Sequence, residues 1–112
     1  MKVFLVSKAI YPERGGVELH VYRIAEGLLA MGHQVWALVE GKQQAETRSN
    51  GLRVVSSVSS GEFSRLLENH KPDVVHAHGA RNVFAARALL AARRAGIRTV
   101  FTPHCFYPAQ DL

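Results

Sequence analysis

The chain has 112 residues, 47% of them apolar and 21% charged, with a formal net charge of +5 at pH 7. This length suits one small domain, and so high a share of apolar residues excludes intrinsic disorder. The longest early apolar run, Val3 to Val6, is far too short for a transmembrane span or a signal peptide. A single cysteine, Cys105, excludes an internal disulfide framework, so we expect a cytoplasmic protein.

The positive charge favours anionic partners. Much of it comes from five arginines late in the chain, which neither share one helical stripe nor alternate with aromatic residues: Arg81, Arg87, Arg93, Arg94 and Arg98. No nucleic-acid-binding motif accompanies them, and we expect no nucleic-acid partner. A weak attraction to an anionic membrane surface, with the protein lying peripherally on the inner face, is compatible with this charge.

Segments rich in apolar and β-branched residues predict five strands, at Lys2 to Ser7, Gln34 to Val39, Leu52 to Ser57, Val74 to His78 and Arg98 to Thr102. After the first strand, an apolar residue recurs about every 3.6 positions and predicts a helix that uses Val17, Val21, Ile24, Leu28 and Met31. Gly32 is expected to end it in a left-handed conformation. Two further helices are predicted at Gly61 to His70 and Arg81 to Ala95, and a polar turn at Gly41 to Asn50.

Strands that alternate with helices predict an α/β fold, a Rossmann-like, doubly wound parallel sheet between helices on both faces, forming three αβα layers. The expected order of the five strands is 3-2-1-4-5, with a ligand at the carboxyl ends of the strands near the first and fourth. A fifth strand with no helix after it suggests that residues 1–112 are an incomplete piece of a longer protein.

Two adjacent glycines, Gly15 and Gly16, precede the first helix. The first backbone N–H groups of a helix have no partner within it and carry the positive end of its dipole. Without a Cβ, these residues allow an anion to approach the backbone, or allow a positive φ. A phosphate or diphosphate is the favoured ligand, and a purely structural strand-to-helix turn is the alternative. The pattern is neither G-x-G-x-x-G nor a P-loop, which argues against NAD and ATP.

Three histidines are expected near the same edge of the sheet. His76 and His78 lie two apart on a strand and so point to one side, while His104 directly follows the last strand. One imidazole is suited to act as a general base or as a hydrogen-bond donor to a substrate hydroxyl. We interpret His76 as a core histidine, leave both roles open for His78, and favour function for His104. His20 is interpreted as structural or solvated.

A zinc site is the alternative use of these histidines, but no Asp, Glu or Cys pairs with them at a ligand spacing. We therefore expect no metal. Cys105 beside His104 raises a nucleophile hypothesis, which the absence of an orienting third group argues against. An ordinary free thiol is the preferred interpretation.

Three segments in order, "PERGGVELHVYRIAEGLLAMGHQVWALV", "KPDVVHAH" and "TVFTPHCF", resemble the start of the N-terminal domain of GT-B glycosyltransferases of retaining glycosyltransferase family 4. The resemblance covers nearly all of the chain. It implies two Rossmann-like domains that face each other, the N-terminal one holding the acceptor and the C-terminal one the nucleotide-sugar donor. It also implies retention at the anomeric carbon, assistance by the leaving diphosphate, and neither an obligatory metal nor another cofactor.

The resemblance assigns roles to individual residues. Gly15 and Gly16 match the glycine pair whose backbone meets the donor diphosphate. His104 matches a histidine near the transferred sugar, which implies a catalytic hydrogen bond to the sugar or the acceptor hydroxyl. Glu13 and Arg14 lie in the loop that varies with the acceptor, and we expect them, with His78, to border the acceptor.

The chain lacks the family's C-terminal domain with its nucleotide pocket. We therefore expect residues 1–112 to be inactive alone, and the sheet edge exposed by the missing parts to favour self-association. The alternative is a non-catalytic Rossmann-like module that binds anions or a partner.

Overall fold

The computed structural model describes residues 1–11, 16–40, 46–56, 58–79 and 83–103 of the chain. Within them the elements follow in the order β1 (Lys2–Ser7), α1 (Gly16–Ala30), β2 (Gln34–Val39), β3 (Glu46–Thr47), β4 (Arg53–Ser56), α2 (Ser60–His70), β5 (Val74–His78), α3 (Val83–Arg94) and β6 (Arg98–Thr102). The five predicted strands and three predicted helices all form, with bounds that shift by one or two residues.

The six strands form one sheet in the order β3-β4-β2-β1-β5-β6. All neighbours are parallel except β3 and β4. The predicted order 3-2-1-4-5 corresponds to β4-β2-β1-β5-β6 and is confirmed. Helices between parallel strands cross over the sheet, which places β1 at its centre with β2 and β5 on either side.

The extra strand β3 corrects the prediction that Gly41 to Asn50 contains only a turn. Glu46 and Thr47 pair antiparallel with Val54 and Arg53. A tight connection returns the chain: the Arg48 N–H donates to the Leu52 carbonyl at 2.8 Å, and Gly51 has a φ of +92°. Glycine adopts that φ without the steric cost that a Cβ brings, so the two-residue strand follows from the turn rather than from an apolar pattern.

The core has two layers because β1 is buried on both sides. Phe4 and Val6 face one side of the sheet, where they pack with Trp36 and with residues of α2 and α3. Val3 and Leu5 face the other side, under α1. A strand covered on both faces is expected to be continuously apolar, as "VFLV" is. The αβα arrangement follows from these two layers.

Glycines end α1 and α3 by the same motif. Gly32 and Gly96 have φ of +88° and +75°. The next N–H in each case reaches back to the helix, from His33 to the Leu28 carbonyl at 3.1 Å and from Ile97 to the Ala92 carbonyl at 2.9 Å. This pattern satisfies carbonyls that would otherwise have no partner. The helix end predicted at Gly32 is confirmed. Met31 was predicted to belong to the buried apolar stripe of α1, but it is 73% exposed.

Asp73 fixes β5 beside the beginning of β1. Its carboxylate accepts from the Lys2 N–H at 2.7 Å, and its own N–H donates to the Lys2 carbonyl at 2.8 Å. This pair sets the register in which Val3 lies opposite Val74 and Leu5 opposite His76. The carboxyl ends of β1 and β5 therefore lie side by side.

None of the described helices is long and apolar enough to cross a membrane.

Candidate functional site

The candidate site lies where β1, β5 and β6 end and where α1 begins. Of the residues predicted for it, Glu13, Arg14, Gly15 and His104 lie outside the described residues. Gly16 and His78 are described, as are His20 and His76.

The chain leaves β1 through an ordered segment. Ser7, which is 1% exposed, donates its hydroxyl hydrogen to the Ala9 carbonyl, and the side chain of Ile10 is fully buried. The Tyr11 N–H then points to the Glu18 carbonyl in the first turns of α1 at 3.4 Å. These contacts hold the end of β1 against the beginning of α1, so that the helix opens beside the carboxyl end of the strand.

Gly16 opens α1 and is exposed. A Cβ built at this position would meet no atom within 4 Å, so the space beside it is open. Among the described residues, positive φ occurs at four other glycines and at Lys71 but not at Gly16. Of the two sequence-based reasons for glycine here, the positive φ does not apply to Gly16. The close approach of a ligand to the backbone remains a prediction, for which this open space leaves room.

His76 and His78 project from β5 toward the side of the sheet that carries α1, as their alternation with the buried Val75 and Ala77 requires. Their rings lie 4.0 Å apart between centroids and are tilted by 32°. His76 Nε2 lies 2.7 Å from Thr102 Oγ1, on the last residue of β6. The half-buried His76 thus ties the ends of two neighbouring strands together, which agrees with its interpretation as a core histidine.

His78 is fully buried, at 0% exposure. Its ring meets the ring of His20, on α1, edge to face at 6.4 Å between centroids and an angle of 71°. Direct contact between His78 and an acceptor would therefore require neighbouring side chains to move. A role for His78 at the acceptor stays a prediction.

His20 is the participant that the sequence interpretation missed. It lies four residues after Gly16, and positions four apart on a helix share a face. Its contact with His78 therefore indicates that the face of α1 carrying Gly16 is turned toward the end of β5. The spacing of Gly16 and His20 was a usable signal, but only the sheet order shows which strand they meet.

Gly79 continues this edge of the sheet. Its φ is +131° and its N–H donates to the Thr102 carbonyl at 3.2 Å. Few residues other than glycine adopt such a φ, so this bond at the end of β5 depends on residue type. His104 comes two residues after Thr102 in the sequence.

The described part of this edge offers imidazoles, a threonine hydroxyl and the beginning of a helix. These groups are able to donate and accept hydrogen bonds and to favour a negative charge. Among the described residues, no group of three His, Cys, Asp or Glu side chains is placed to hold a metal ion.

A family model described as Glycosyltransferase Family 4 matches residues 14–112. Curated relatives carry the name phosphatidylinositol N-acetylglucosaminyltransferase. The GPI3 subunit of this name from Saccharomyces cerevisiae is 32% identical over 98% of this chain and 28% of its own length. The relative from Arabidopsis thaliana is 29% identical over 100% of this chain and 29% of its own length.

The relative from Homo sapiens is 26% identical over 98% of this chain and 26% of its own length. The chain therefore spans less than a third of the length of these relatives.

Proposed function

Because this chain belongs to Glycosyltransferase Family 4, we propose that it forms the N-terminal, acceptor-side domain of a GT-B enzyme that transfers a sugar from a nucleotide-sugar donor to an acceptor with retention. The family match over residues 14–112 is the observation that carries the proposal. Residues 1–112 supply acceptor and diphosphate contacts in this proposal, and a C-terminal domain supplies the nucleotide pocket.

The role of the glycine pair is to admit the donor diphosphate to the first turn of α1. Gly16 has open space where its Cβ would be, and α1 begins beside the carboxyl ends of β1 and β5. Unpaired N–H groups at a helix N-terminus favour a phosphate oxygen. Gly15 extends the same backbone segment in the sequence.

His104 is proposed to hydrogen-bond the transferred sugar or the acceptor hydroxyl. It follows Thr102, whose hydroxyl bonds His76 and whose carbonyl accepts from Gly79. We propose that these contacts define where the segment carrying His104 leaves the sheet. Glu13, Arg14 and His78 are proposed to border the acceptor.

The substrates of the relatives suggest where to begin testing. Their names specify phosphatidylinositol as acceptor and N-acetylglucosamine as the transferred sugar. We propose an acceptor of the same kind, a polar head group presented at a membrane surface, for an enzyme that works from the cytoplasmic side. The positive charge of the chain supports an anionic acceptor environment.

The experiment compares two proteins against one panel of sugar nucleotides and lipid acceptors. The first is the longer protein that carries this chain as its N-terminal part, and the second is residues 1–112 alone. We expect turnover by the longer protein and none by the isolated chain, since the donor pocket is formed by the other domain.

In the longer protein, His104→Ala should reduce kcat by about two orders of magnitude or more, with a smaller change in donor affinity, as is usual for loss of a catalytic hydrogen-bonding group. Turnover by residues 1–112 alone would refute the two-domain proposal. Unchanged kcat in His104→Ala would remove the assigned role. Donor binding without any transfer by the longer protein would support the non-catalytic binding module instead.

A further inference from the structure

Thr102, the last residue of β6, is bound to β5 and its extension through both its side chain and its main chain. Its hydroxyl lies 2.7 Å from His76 Nε2, and its carbonyl accepts from the Gly79 N–H at 3.2 Å. The register places Thr102 opposite His78, so the two contacts reach residues on either side of His78 in the sequence. Two bonds of different kinds therefore fix one residue at the carboxyl end of the sheet.

The bond between His76 and Thr102 is partly shielded from water, because both residues are half-buried. Hydrogen bonds are electrostatically stronger in such surroundings than in water. Within the described residues β6 has only β5 as a neighbour, and the ends of elements are the places that open most easily. We therefore expect this bond to limit the movement of the end of β6.

His76 also belongs to a row of rings that reaches α1. Its ring lies 4.0 Å from the ring of His78, which in turn meets the ring of His20. Because α1 begins at Gly16, about one turn before His20, the row connects the end of β6 to the beginning of this helix. The position of the end of β6 is thus related to the position of Gly16.

A shift at the end of β6 is passed on to His104. This histidine comes two residues after Thr102 in the sequence, so at most about 7 Å of extended chain separates their Cα atoms. A displacement of about 1 Å in a catalytic group is enough to reduce a rate by about a hundredfold. The contacts of Thr102 are therefore close enough in the chain to affect a reaction that depends on His104.

We propose that His76 and Thr102 are positioning residues, which hold the segment carrying His104 where its imidazole reaches the transferred sugar or the acceptor hydroxyl. Neither of the two touches a substrate, and both act through His104. This inference rests on the proposed function, from which it takes the role of His104. It assigns to His76 a part in the reaction beyond that of a core histidine.

The test measures kcat and the KM for the donor in the longer protein. Thr102→Val removes the hydroxyl at nearly constant volume. We expect it to lower kcat by about tenfold and to change KM by less than about threefold, because His104 is misplaced while the diphosphate contacts remain. Thr102→Ser keeps a hydroxyl and should restore kcat to within about threefold of the wild type. His76→Phe keeps a ring without a nitrogen and should lower kcat at least as much as Thr102→Val.

A double-mutant cycle shows whether the effect passes through His104. Thr102→Val introduced into the His104→Ala variant should change kcat by less than about twofold, because the group that it positions is already absent. A bond that only stabilises the sheet would instead change kcat by the same factor in both backgrounds.

Thr99→Val is the matched control, since Thr99 is another half-buried threonine of β6. It lies opposite Val75, whose side chain packs in the core on the face of the sheet away from α1. We expect its kcat to stay within about twofold of the wild type, because this face does not carry the bond to His76. Circular dichroism checks that every variant is folded before its kinetics are compared.

Unchanged kcat in Thr102→Val would overturn the positioning role, as would no recovery in Thr102→Ser, an equal loss in Thr99→Val, or equal factors in the two backgrounds. If His104→Ala itself leaves kcat unchanged, the proposed role of His104 fails and this inference fails with it. Normal kcat in Thr102→Val beside a reduced kcat in His104→Ala refutes the positioning role alone, so the two failures are distinguishable.

Discussion

At the scale of single residues, Gly16 and His20 connect the beginning of α1 to the end of β5. Gly16 has open space beside it, and His20 lies against the fully buried His78. Membership of the family is the reason for proposing the donor diphosphate as the ligand of Gly16. The contact between His20 and His78 fixes how the beginning of α1, which carries Gly16, lies against the end of β5.

A branched side chain at Gly16 tests the proposed diphosphate contact. In the longer protein, we expect Gly16→Val to weaken nucleotide-sugar binding by about tenfold or more, since one lost main-chain contact to a charged oxygen is worth about 1.5 to 3 kcal/mol. The folded state should tolerate the change, because a Cβ there meets nothing within 4 Å. Isothermal titration with the donor measures the effect.

Gly27→Val is the matched control, because Gly27 is exposed on the same helix and its Cβ would also meet nothing within 4 Å. It should leave donor binding unchanged. Equal affinities for the wild type and Gly16→Val would argue against any diphosphate at the glycine pair.

At the scale of elements, α2 shows how a short helix is held by its ends. Ser59 is its N-cap and accepts from the Glu62 N–H at 3.2 Å. At the other end, Lys71 takes a left-handed φ of +46° and its N–H donates to the Leu67 carbonyl at 2.9 Å. Between the ends, Phe63 and Leu67 are buried against the sheet.

We expect Ser59→Ala to lower the free energy of unfolding by about 1 kcal/mol, because the N-cap hydrogen bond is lost. Ser64→Ala is the control, at an exposed position inside the same helix. Alanine has the higher helix propensity, so that variant should be neutral or slightly more stable. Urea denaturation followed by circular dichroism measures both, and equal changes would show that the cap contributes little.

Some elements could be predicted from the sequence, and β3 could not. The strands β1, β2, β5 and β6 carry their own apolar pattern, so their positions follow from the residues themselves. The strand β3 has no such pattern: Glu46 and Thr47 pair only because Gly51 and Asn50 shape the turn, in which Asn50 Oδ1 accepts from the Leu52 N–H at 3.1 Å. Short polar strands are set by their partners rather than by propensity.

The candidate site was predictable to a similar, limited degree. Strand ends and the glycine pair predicted a site at one edge of the sheet, and the structure does bring the ends of β1 and β5 together there, as parallel topology requires. The contact between His20 and His78 was not predicted, since it joins residues far apart in the sequence through the packing of α1. Burial of His78 likewise depends on neighbours that periodicity does not identify.

At the scale of the whole molecule, the two edges of the sheet differ. The edge at β3 is two residues long and exposes polar side chains. The edge at β6 is five residues long, and Val100 and Phe101 are 42% and 46% exposed there. Within the described residues, β6 pairs only with β5. Long apolar edges invite pairing with another chain.

We expect residues 1–112 to self-associate through β6, so that light scattering gives a mass that rises with concentration. Val100→Lys should shift this mass toward the monomer, because charge on an edge strand opposes pairing. Met31→Lys is the control, since Met31 is an exposed apolar residue in the connection between α1 and β2 and does not belong to an edge strand. A concentration-independent monomer, or equal effects of the two variants, would contradict an association through this edge.

Because β1 lies at the centre of the sheet, its two sides gain their partner strands at different times during synthesis. Lys2 is opposite Gln34 and Val3 is opposite Val74, so β1 gains its second partner only after residues about seventy positions later in the sequence have been synthesised. Pairings this distant in sequence form slowly, and partly folded chains aggregate through exposed strands. Until β5 has been synthesised, one side of β1 therefore has no partner strand, and in the folded protein the hydrogen bonds between Asp73 and Lys2 hold the beginning of that side in place.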